Sequence, residues 1–415
     1  MSMKIKLVHV VTVPVTLKHL LLDQMLHMMK QGLQVVAVSS PGPILEELAS
    51  QDRIEVYGVP MNRAISPLAD LMALWLLFRL FRKIRPAIVH GSTAKGAALA
   101  MVAATLARVP LRFYTVRGLM TETRSGGSRY LLKTVERLTC VLAHRVFPVS
   151  RSVEKALVEQ GLCSPRKMRL IGHGSSNGVN AQWRFNPSRI NQSERKTLIG
   201  KLGIPDNAFV IGFVGRIVRD KGIEELVQAW RRIRDRHNCF LLVIGQPEAQ
   251  DPVSSAALEV LRNDPRIVTV PTVENAQMPF YYDIMDLLAL PTYREGFPNV
   301  VLEAAAMEVP TVATRVTGCV DAVKDRETGV LVAARDSRAL AEAIEAYLGD
   351  KELLLKHGRA ARKRVLSDFQ QPAIWDGLYH EYMLHVLSKG LTHESGDQKE
   401  PVKFSETGGL NWPEN

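Results

Sequence analysis

The chain has 415 residues, of which 46% are hydrophobic and 23% are charged. This length predicts two domains, and this composition excludes a largely disordered protein. The four cysteines lie far apart in the sequence, which excludes a closely spaced zinc motif and a dense disulfide framework and favours a reduced, cytoplasmic protein.

The formal net charge of +11 is concentrated in the first 180 residues, which hold 24 Lys and Arg against 10 Asp and Glu. The remaining residues hold 29 against 32. A basic half indicates either an acidic partner, such as an anionic membrane surface or a phosphorylated substrate, or a solvated basic surface. No basic tract is interleaved with aromatic residues, so nucleic acid is not expected as a partner.

Short apolar segments alternate with helical ones in the first half. Because the apolar segments are continuous rather than alternating, they indicate a parallel sheet that is covered on both faces. The pattern predicts helices at Leu17–Gln31 and Thr93–Ala107, and strands at Ile5–Val11, Leu33–Val38, Ile88–His90, Arg112–Val116 and Val146–Val149.

One predicted helix, Ser66–Arg85, is apolar nearly all round and ends in basic residues. Its uninterrupted apolar run, Leu71–Phe78, is far shorter than the roughly 20 residues that span a bilayer. The helix therefore either packs on the sheet alone or also touches a membrane surface, for which its basic end and its Trp and Phe residues are suited.

The strand–helix pattern restarts after a polar stretch that begins at Gly172 and is typical of a hinge. The second half predicts a helix at Ile223–Arg236, and strands at Phe209–Val214, Phe240–Ile244, Arg266–Val270, Leu287–Leu290, Thr311–Ala313 and Val330–Val332. The predicted fold class is α/β, with two doubly wound parallel-sheet domains and a cleft outside the carboxyl ends of their strands.

The predicted boundaries follow the two series of strands. The two predicted domains are residues 1–180 and residues 181–368. A helix over 369–388 is predicted to pack back towards the first domain, and residues 389–415 are predicted to be a disordered tail.

A loop that suits a diphosphate follows the strand ending at Val214. Gly215 lets the chain turn, Arg216 and Lys221 supply positive charge, and a helix opens near Gly222. Close backbone approach, free amides at a helix N-terminus and cationic side chains are what a diphosphate requires. A plain turn, or a role for Arg219 instead, remains the alternative.

A second candidate segment runs from Pro291 to Ala306 and carries Glu295 on a loop and Glu303 on the following helix. Two acidic residues eight positions apart do not by themselves indicate a site, because such pairs also occur by chance. Here, however, one carboxylate stands at the carboxyl end of a strand, and the free amides of Asn299 and Val300 can meet an anion. Glu303 can accept hydrogen bonds from two neighbouring ribose hydroxyls.

Together these segments resemble the retaining glycosyltransferases of family 4, which have the GT-B fold with two Rossmann-like domains. The likeness rests on the Gly-Arg…Lys-Gly loop and the Glu-x7-Glu motif, and it extends from about Lys4 to Tyr382. A narrower branch, which builds surface polysaccharides such as capsule and O-antigen on polyprenyl-diphosphate carriers, is similar in Tyr114–Leu119, Glu136–Cys140, Pro148–Ser150 and Gly174–Val179.

The resemblance implies that the first domain binds the acceptor and the second binds a nucleotide sugar, with UDP as the expected nucleotide and no metal or other cofactor. It implies catalytic roles for Glu295, Arg216 and Lys221. The donor-binding residues that it implies are Gly215, Gly296, Phe297, Pro298, Asn299, Val300 and Glu303.

Two departures from the family concern the first domain. The loop Thr12–Thr16 has no glycine, and Arg117 stands where many members have histidine. Lys95, Arg117 and Arg124 are the candidate acceptor contacts. The histidines His90, His144 and His173 are interpreted as structural.

The leading hypothesis is a peripheral enzyme on the inner face of the cytoplasmic membrane. It moves a sugar, an N-acetylhexosamine from a UDP donor, onto a polyprenyl-diphosphate-linked saccharide. A transferase with a soluble sugar or sugar-phosphate acceptor is the alternative, and a catalytically dead scaffold is a third hypothesis.

Overall fold

Twelve parallel strands form two six-stranded sheets in the computed structural model, which describes residues 5–51, 54–64, 66–249 and 251–391. The first sheet contains β1 (Lys6–Val10), β2 (Gln34–Ser39), β3 (Glu55–Gly58), β4 (Ile88–Gly91), β5 (Leu111–Val116) and β6 (Arg145–Pro148). The second contains β7 (Phe209–Val214), β8 (Cys239–Ile244), β9 (Ile267–Val270), β10 (Leu287–Leu290), β11 (Thr311–Thr314) and β12 (Gly329–Val332).

Both sheets have the same strand order. The first runs β3-β2-β1-β4-β5-β6, and the second runs β12-β11-β10-β7-β8-β9. In each half the first strand is central and lies between the second and the fourth, which is the doubly wound order of a Rossmann-like domain. The predicted fold class is therefore confirmed.

Helices connect the strands and cover the sheets. Those of the first half are α1 (Pro14–Thr16), α2 (Leu22–Lys30), α3 (Pro43–Gln51), α4 (Pro67–Ile84), α5 (Ala94–Leu106), α6 (Gly126–Leu142) and α7 (Arg151–Glu159). Those that follow are α8 (Gln192–Leu202), α9 (Ile223–Ile233), α10 (Ser255–Asn263), α11 (Met278–Asp283), α12 (Asn299–Ala306), α13 (Cys319–Ala322), α14 (Ser337–Gly349), α15 (Lys351–Asp368) and α16 (Gln371–Ser388).

Short helical turns complete the described elements. A π-helical segment, Leu17–Leu21, joins α1 to α2, and 3-10 turns lie at Met120–Glu122, Pro165–Lys167, Pro187–Arg189 and Arg219–Lys221. Several α-helices begin with a side-chain cap that satisfies a free amide; for example, Asp350 accepts from the amide of Leu353 at 2.9 Å. No helix of the described ranges is both long and apolar enough to cross a bilayer.

One strand, β3, has no counterpart among the sequence predictions. It lies at the edge of the first sheet and pairs only with β2. Glu55 and Tyr57 are half-buried and hydrogen-bond each other at 2.7 Å, so the segment lacks the continuous apolar run of a central strand. An edge strand of this kind depends on its neighbour and not on a sequence pattern.

The two faces of the first sheet are covered by different helices. Side chains of α2, α3 and α16 pack into one core with the sheet. On the other face α5 packs between α4 and α6. Helix α16 thus crosses back to the first sheet, with Trp375, Leu378 and Tyr382 buried there. The predicted disordered tail lies outside the described residues from position 392 onward.

A buried polar contact joins α16 to the sheet. Tyr382 hydrogen-bonds Nδ1 of His90, whose Nε2 bonds Thr115 Oγ1 at 2.7 Å. Burial lowers the pKa of His90 well below its ordinary value, so the imidazole is neutral. This agrees with the structural role assigned to His90 from the sequence.

Replacing Tyr382 with Phe tests this contact. The substitution leaves a buried ring nitrogen of His90 without a partner, so the free energy of unfolding should fall by about 1–3 kcal/mol in a guanidinium titration. Tyr379→Phe is the matched control on the same helix, because its hydroxyl makes only an exposed contact of 3.4 Å. Equal stability of both variants would contradict the prediction.

Candidate active site

The carboxyl ends of the two sheets face each other across a cleft. Loops after β5, β7 and β10 line a cavity of about 280 Å³ between the domains. Its walls include the predicted donor-site residues Gly215, Arg216, Lys221, Glu295, Gly296, Phe297, Pro298, Asn299 and Val300, together with Arg117 from the first domain. The structure therefore gathers residues far apart in sequence at one place.

Glycine lets the two domains touch backbone to backbone. A Cβ on Gly296 would overlap the carbonyl oxygen of Arg117, and a Cβ on Gly118 would lie 3.2 Å from the amide nitrogen of Gly296. Ser150 Oγ of the first domain donates to the Gly296 carbonyl at 2.9 Å. These contacts hold the loop that carries Glu295 against the loop that carries Arg117.

Lys221 and Glu295 form an ion pair inside the cleft, and their side chains are only 18% and 15% exposed. Their proximity follows from Gly222, which has a φ of +70° and packs so tightly on the Pro291 carbonyl that a Cβ would overlap it. The β7 loop and the β10 loop are thereby pressed together. The pair places a positive and a negative group side by side in the same cavity.

Arg216 is also paired with a carboxylate. Its Nη1 donates to Glu248 Oε2 at 2.8 Å, and Arg63 of the first domain reaches the same carboxylate at 3.3 Å. Burial raises the pKa of Glu248, but the hydrogen bond and charge of Arg216 outweigh it with the help of Arg63, so the pKa lies below its ordinary value. Glu248 is thus ionised and bridges the two domains.

Glu303 lies one turn into α12 and lines the neighbouring part of the cleft. Tyr282 donates its hydroxyl to Glu303 Oε2 at 2.8 Å. Burial raises the pKa of Glu303 to about 7, and the bond from Tyr282 offsets only part of this effect. Pro298 immediately precedes α12, so the first free amides of the helix, at Asn299 and Val300, stand at the cleft.

Arg117 differs from the other two cations, because no carboxylate pairs with it among the described residues. Its Nη1 donates to Ser176 Oγ at 2.5 Å, and its buried Nε has no hydrogen-bond partner within the described ranges. Burial lowers the pKa of Arg117 to about 10, which still leaves it charged at neutral pH. An unpaired cation in a cleft is a site for an anion.

A neutral histidine lies close to Arg117. His9 is fully buried, and burial together with the charge of Arg117 lowers its pKa to about 3. Neither ring nitrogen of His9 has a hydrogen-bond partner among the residues that the structure describes. His9 therefore adds no charge that competes with Arg117.

The remaining acceptor candidates lie apart from this cavity. Lys95 pairs with Asp70 at 2.5 Å and also donates to the Ala64 carbonyl, so it is already engaged within the first domain. Arg124 is exposed on the loop between β5 and α6. Of the three candidates, only Arg117 lines the cavity around Glu295.

Several site residues had no assigned role in the sequence analysis. Ser176 lies in the quoted segment Gly174–Val179, but its bond to Arg117 spans 59 positions. Glu248, Arg63 and Tyr282 carry no local motif, and only the folded chain brings them to Arg216 and Glu303.

Comparisons with known proteins identify similar sequences. Residues 194–364 match the family model described as "Glycosyl transferases group 1", and residues 20–174 match "Glycosyl transferase 4-like domain". The capsular polysaccharide biosynthesis glycosyltransferase CapM of Staphylococcus aureus is 35% identical over 378 residues, which cover 91% of this chain and 96% of CapM.

Two further similarities concern the acceptor and the fold. The N,N'-diacetylbacillosaminyl-diphospho-undecaprenol alpha-1,3-N-acetylgalactosaminyltransferase of Campylobacter jejuni is 26% identical, over 76% of this chain and 82% of that enzyme. The crystal structure of Anabaena HepE in complex with UDP-glucose has a TM-score of 0.75 at 18% identity, over 91% of this chain and 99% of HepE. At that identity the likeness concerns the fold.

Gly296→Ala tests the contact between the domains. Gly296 does not have a positive φ, so the obstacle to alanine is the overlap of its Cβ with the backbone of Arg117 and Gly118. The expected result is a cleft forced open, seen as a larger radius of gyration in small-angle X-ray scattering and a loss of about 1–3 kcal/mol in stability. Gly200→Ala on α8 is the control, because a Cβ there meets no atom within 4 Å. It should neither enlarge the radius of gyration nor lower the stability. An unchanged radius for Gly296→Ala would refute the contact.

Proposed function

Because this chain belongs to the group 1 glycosyl transferases, we propose that it moves a sugar, with retention of configuration, from a nucleotide diphosphate donor to a polyprenyl-diphosphate-linked saccharide. The chain is a glycosyltransferase. The observation that carries the finer proposal is the Lys221–Glu295 ion pair in the cleft, with unpaired Arg117 lining the same cavity.

The ion pair suits the charges that develop when a sugar leaves a diphosphate. Negative charge grows on the leaving phosphate oxygen, and positive charge grows at the anomeric carbon. Lys221 stabilises the first and Glu295 the second, and both are held in place before the reaction begins. In the family's usual account a donor phosphate oxygen takes the acceptor proton, so catalysis depends mainly on electrostatics and positioning.

Donor binding exchanges one partner of Arg216 for another. Arg216 leaves Glu248 for the diphosphate, and Glu248 keeps its contact with Arg63. The amides at the start of α12 face the phosphates, and Glu303 accepts from the ribose hydroxyls. These are side-chain and backbone contacts, and no three His, Cys, Asp or Glu residues within the described ranges are grouped as metal ligands.

The acceptor side of the proposal rests on Arg117 and on the relatives. Arg117 faces the cleft without a carboxylate partner, so it is free to hold an acceptor phosphate. The Campylobacter jejuni relative is named for an undecaprenol-diphosphate-linked acceptor and an N-acetylgalactosaminyl donor group, and CapM is named for capsule biosynthesis. UDP-N-acetylhexosamines, surface polysaccharide assembly and a peripheral place on the inner face of the cytoplasmic membrane are proposed for this chain accordingly.

Glu295→Ala is the central test. Loss of the carboxylate removes the stabilisation of the anomeric carbon and leaves Lys221 unpaired, so turnover should fall by about 10²-fold or more. The measurement is release of nucleoside diphosphate from UDP-sugars in the presence of a polyprenyl-diphosphate-linked saccharide. Glu342→Ala, on the exposed surface of α14, is the control and should retain activity.

Other outcomes of this assay identify the alternatives. Transfer to a soluble sugar or sugar phosphate, with none to the lipid-linked acceptor, would replace the proposed acceptor. Turnover that survives Glu295→Ala would remove Glu295 from the mechanism. Absence of turnover with every donor, with pathway function intact in the variant, would favour a scaffold.

The raised pKa of Glu303 predicts that donor affinity depends on pH. Above pH 7 Glu303 is a carboxylate and can accept from both ribose hydroxyls, whereas below pH 7 it is protonated and loses part of that capacity. Binding of a UDP-sugar, measured by calorimetry, should therefore be weaker at pH 6 than at pH 8, by up to about tenfold. A sugar nucleotide is the correct probe because both of its phosphates are esterified. It therefore lacks the secondary phosphate proton of a free nucleotide, which titrates at about pH 6.

Glu303→Gln should bind more weakly and show no such pH dependence. Glu274→Gln is the control, since Glu274 is exposed at the rim of the same cleft and should keep the dependence of the unmodified chain. A flat profile for the unmodified chain would exclude Glu303 as the titrating group.

A further inference from the structure

Helix α6 turns its apolar side chains outwards. Glu136, Thr139 and Cys140 face inwards and are buried. The outward-facing apolar residues are Tyr130 at 77% exposure, Leu131, Val135, Leu138 and Val141. A helix on the surface of a soluble domain normally has the opposite orientation, with its apolar side towards the core.

The buried polar residues of α6 are held in this orientation. Tyr114 of β5 donates its hydroxyl to Glu136 Oε1 at 2.7 Å. Thr139 donates to the Val135 carbonyl at 2.8 Å. Because Glu136 has its partner on β5 and Thr139 is satisfied within the helix, the apolar side of α6 stays exposed in the folded chain.

Helix α4 exposes a second apolar set on the same face of the first sheet. It consists of Leu68 at 85% exposure, Leu71, Met72 and Trp75. Since α5 packs between α4 and α6, the two sets belong to one helical layer. We use the term α4–α6 face for these nine side chains. Large apolar side chains that are exposed together on one helical layer are typical of a binding surface.

The exposed charges on both helices are positive. They are Arg79, Arg82 and Lys83 on α4, and Arg129 and Arg137 on α6. The acidic residues of these helices are already engaged: Asp70 forms an ion pair with Lys95, and Glu136 is buried and hydrogen-bonded to Tyr114. The layer therefore combines large apolar side chains with cations and offers no free acid.

We propose that the α4–α6 face docks on an anionic lipid bilayer, with its apolar side chains in the interface and its arginines and lysine at the headgroups. Apolar contact and attraction to anionic lipid are the two contributions that hold an interfacial helix on a membrane. A second copy of the chain fits less well, because a symmetric contact would oppose cations to cations with no acid to pair with them.

The α4–α6 face lies on the domain in such a way that docking would bring the cleft close to the membrane. Helices α4 and α6 begin at the carboxyl edge of the first sheet, which is the edge that borders the cleft. The loop from Arg117 leads directly into α6. A chain docked in this way holds the cleft at the headgroup layer, where a lipid-linked diphosphate is found; this last step alone rests on the proposed function.

Vesicle binding tests the face without any sugar nucleotide or acceptor. The full chain should float with vesicles of phosphatidylcholine that contain about one third phosphatidylglycerol, should not float with pure phosphatidylcholine, and should be released by salt. Leu131→Ser with Leu138→Ser should weaken binding by about tenfold or more. The matched control is Leu355→Ser with Leu366→Ser, similarly exposed leucines on α15 of the second domain.

A second pair of variants tests the charges. Arg129→Gln with Arg137→Gln should weaken binding to the anionic vesicles by about tenfold or more, whereas Arg231→Gln with Arg232→Gln on α9 should not. All eight positions are exposed or nearly so, and circular dichroism verifies that each variant is folded.

Three results would overturn the proposal. They are no binding of the unmodified chain, equal loss in the control variants, and a dimer that Leu131→Ser with Leu138→Ser turns into a monomer while vesicle binding is unchanged. Failure of sugar transfer with intact docking would refute the proposed function alone. Sugar transfer that persists although the unmodified chain binds no vesicles would refute the docking alone.

Discussion

The close approach of two loops, Arg117–Gly118 and Glu295–Gly296, determines the geometry of the cleft. At this point the backbones of the two domains touch, and there is no room for a side chain on Gly296. The contact places a cation of the first domain in the same cavity as the ion pair of the second. Without it the two sheets would carry half-sites that face each other across solvent.

Electrostatic pairing divides the cations of this cleft into two kinds. Lys221 and Arg216 are each held by a carboxylate, so any anion that binds either cation must compete with that carboxylate. Arg117 has no carboxylate partner in the part of the chain that the structure describes, and it lies beside a histidine that burial keeps neutral. Burying a cation without a carboxylate beside it is costly, and such a position suits an anion.

The two faces of the sheet in the first domain are covered in different ways. One face of its sheet is closed by α16, whose Trp375 and Tyr382 are buried among residues of β-strands and α2. On the other face, α6 buries a glutamate and exposes leucine, valine and tyrosine. The inward hydrogen bond from Tyr114 makes that orientation possible, and the cations beside the exposed side chains specify the kind of surface that the helix suits.

Sequence alone determined the features that depend on local pattern. The central strands are continuous apolar runs, so they and their parallel pairing could be predicted, whereas half-buried β3 at the sheet edge could not. The residues predicted to bind the donor stand on two short motifs at strand ends, and the carboxyl ends of parallel strands meet at one edge of a sheet. Only the tertiary structure decided which groups are paired. It engaged Lys95 with Asp70, brought Glu248 and Arg63 to Arg216, left Arg117 without a carboxylate and turned the apolar side of α6 outwards, because each of these outcomes depends on residues that are distant in the chain.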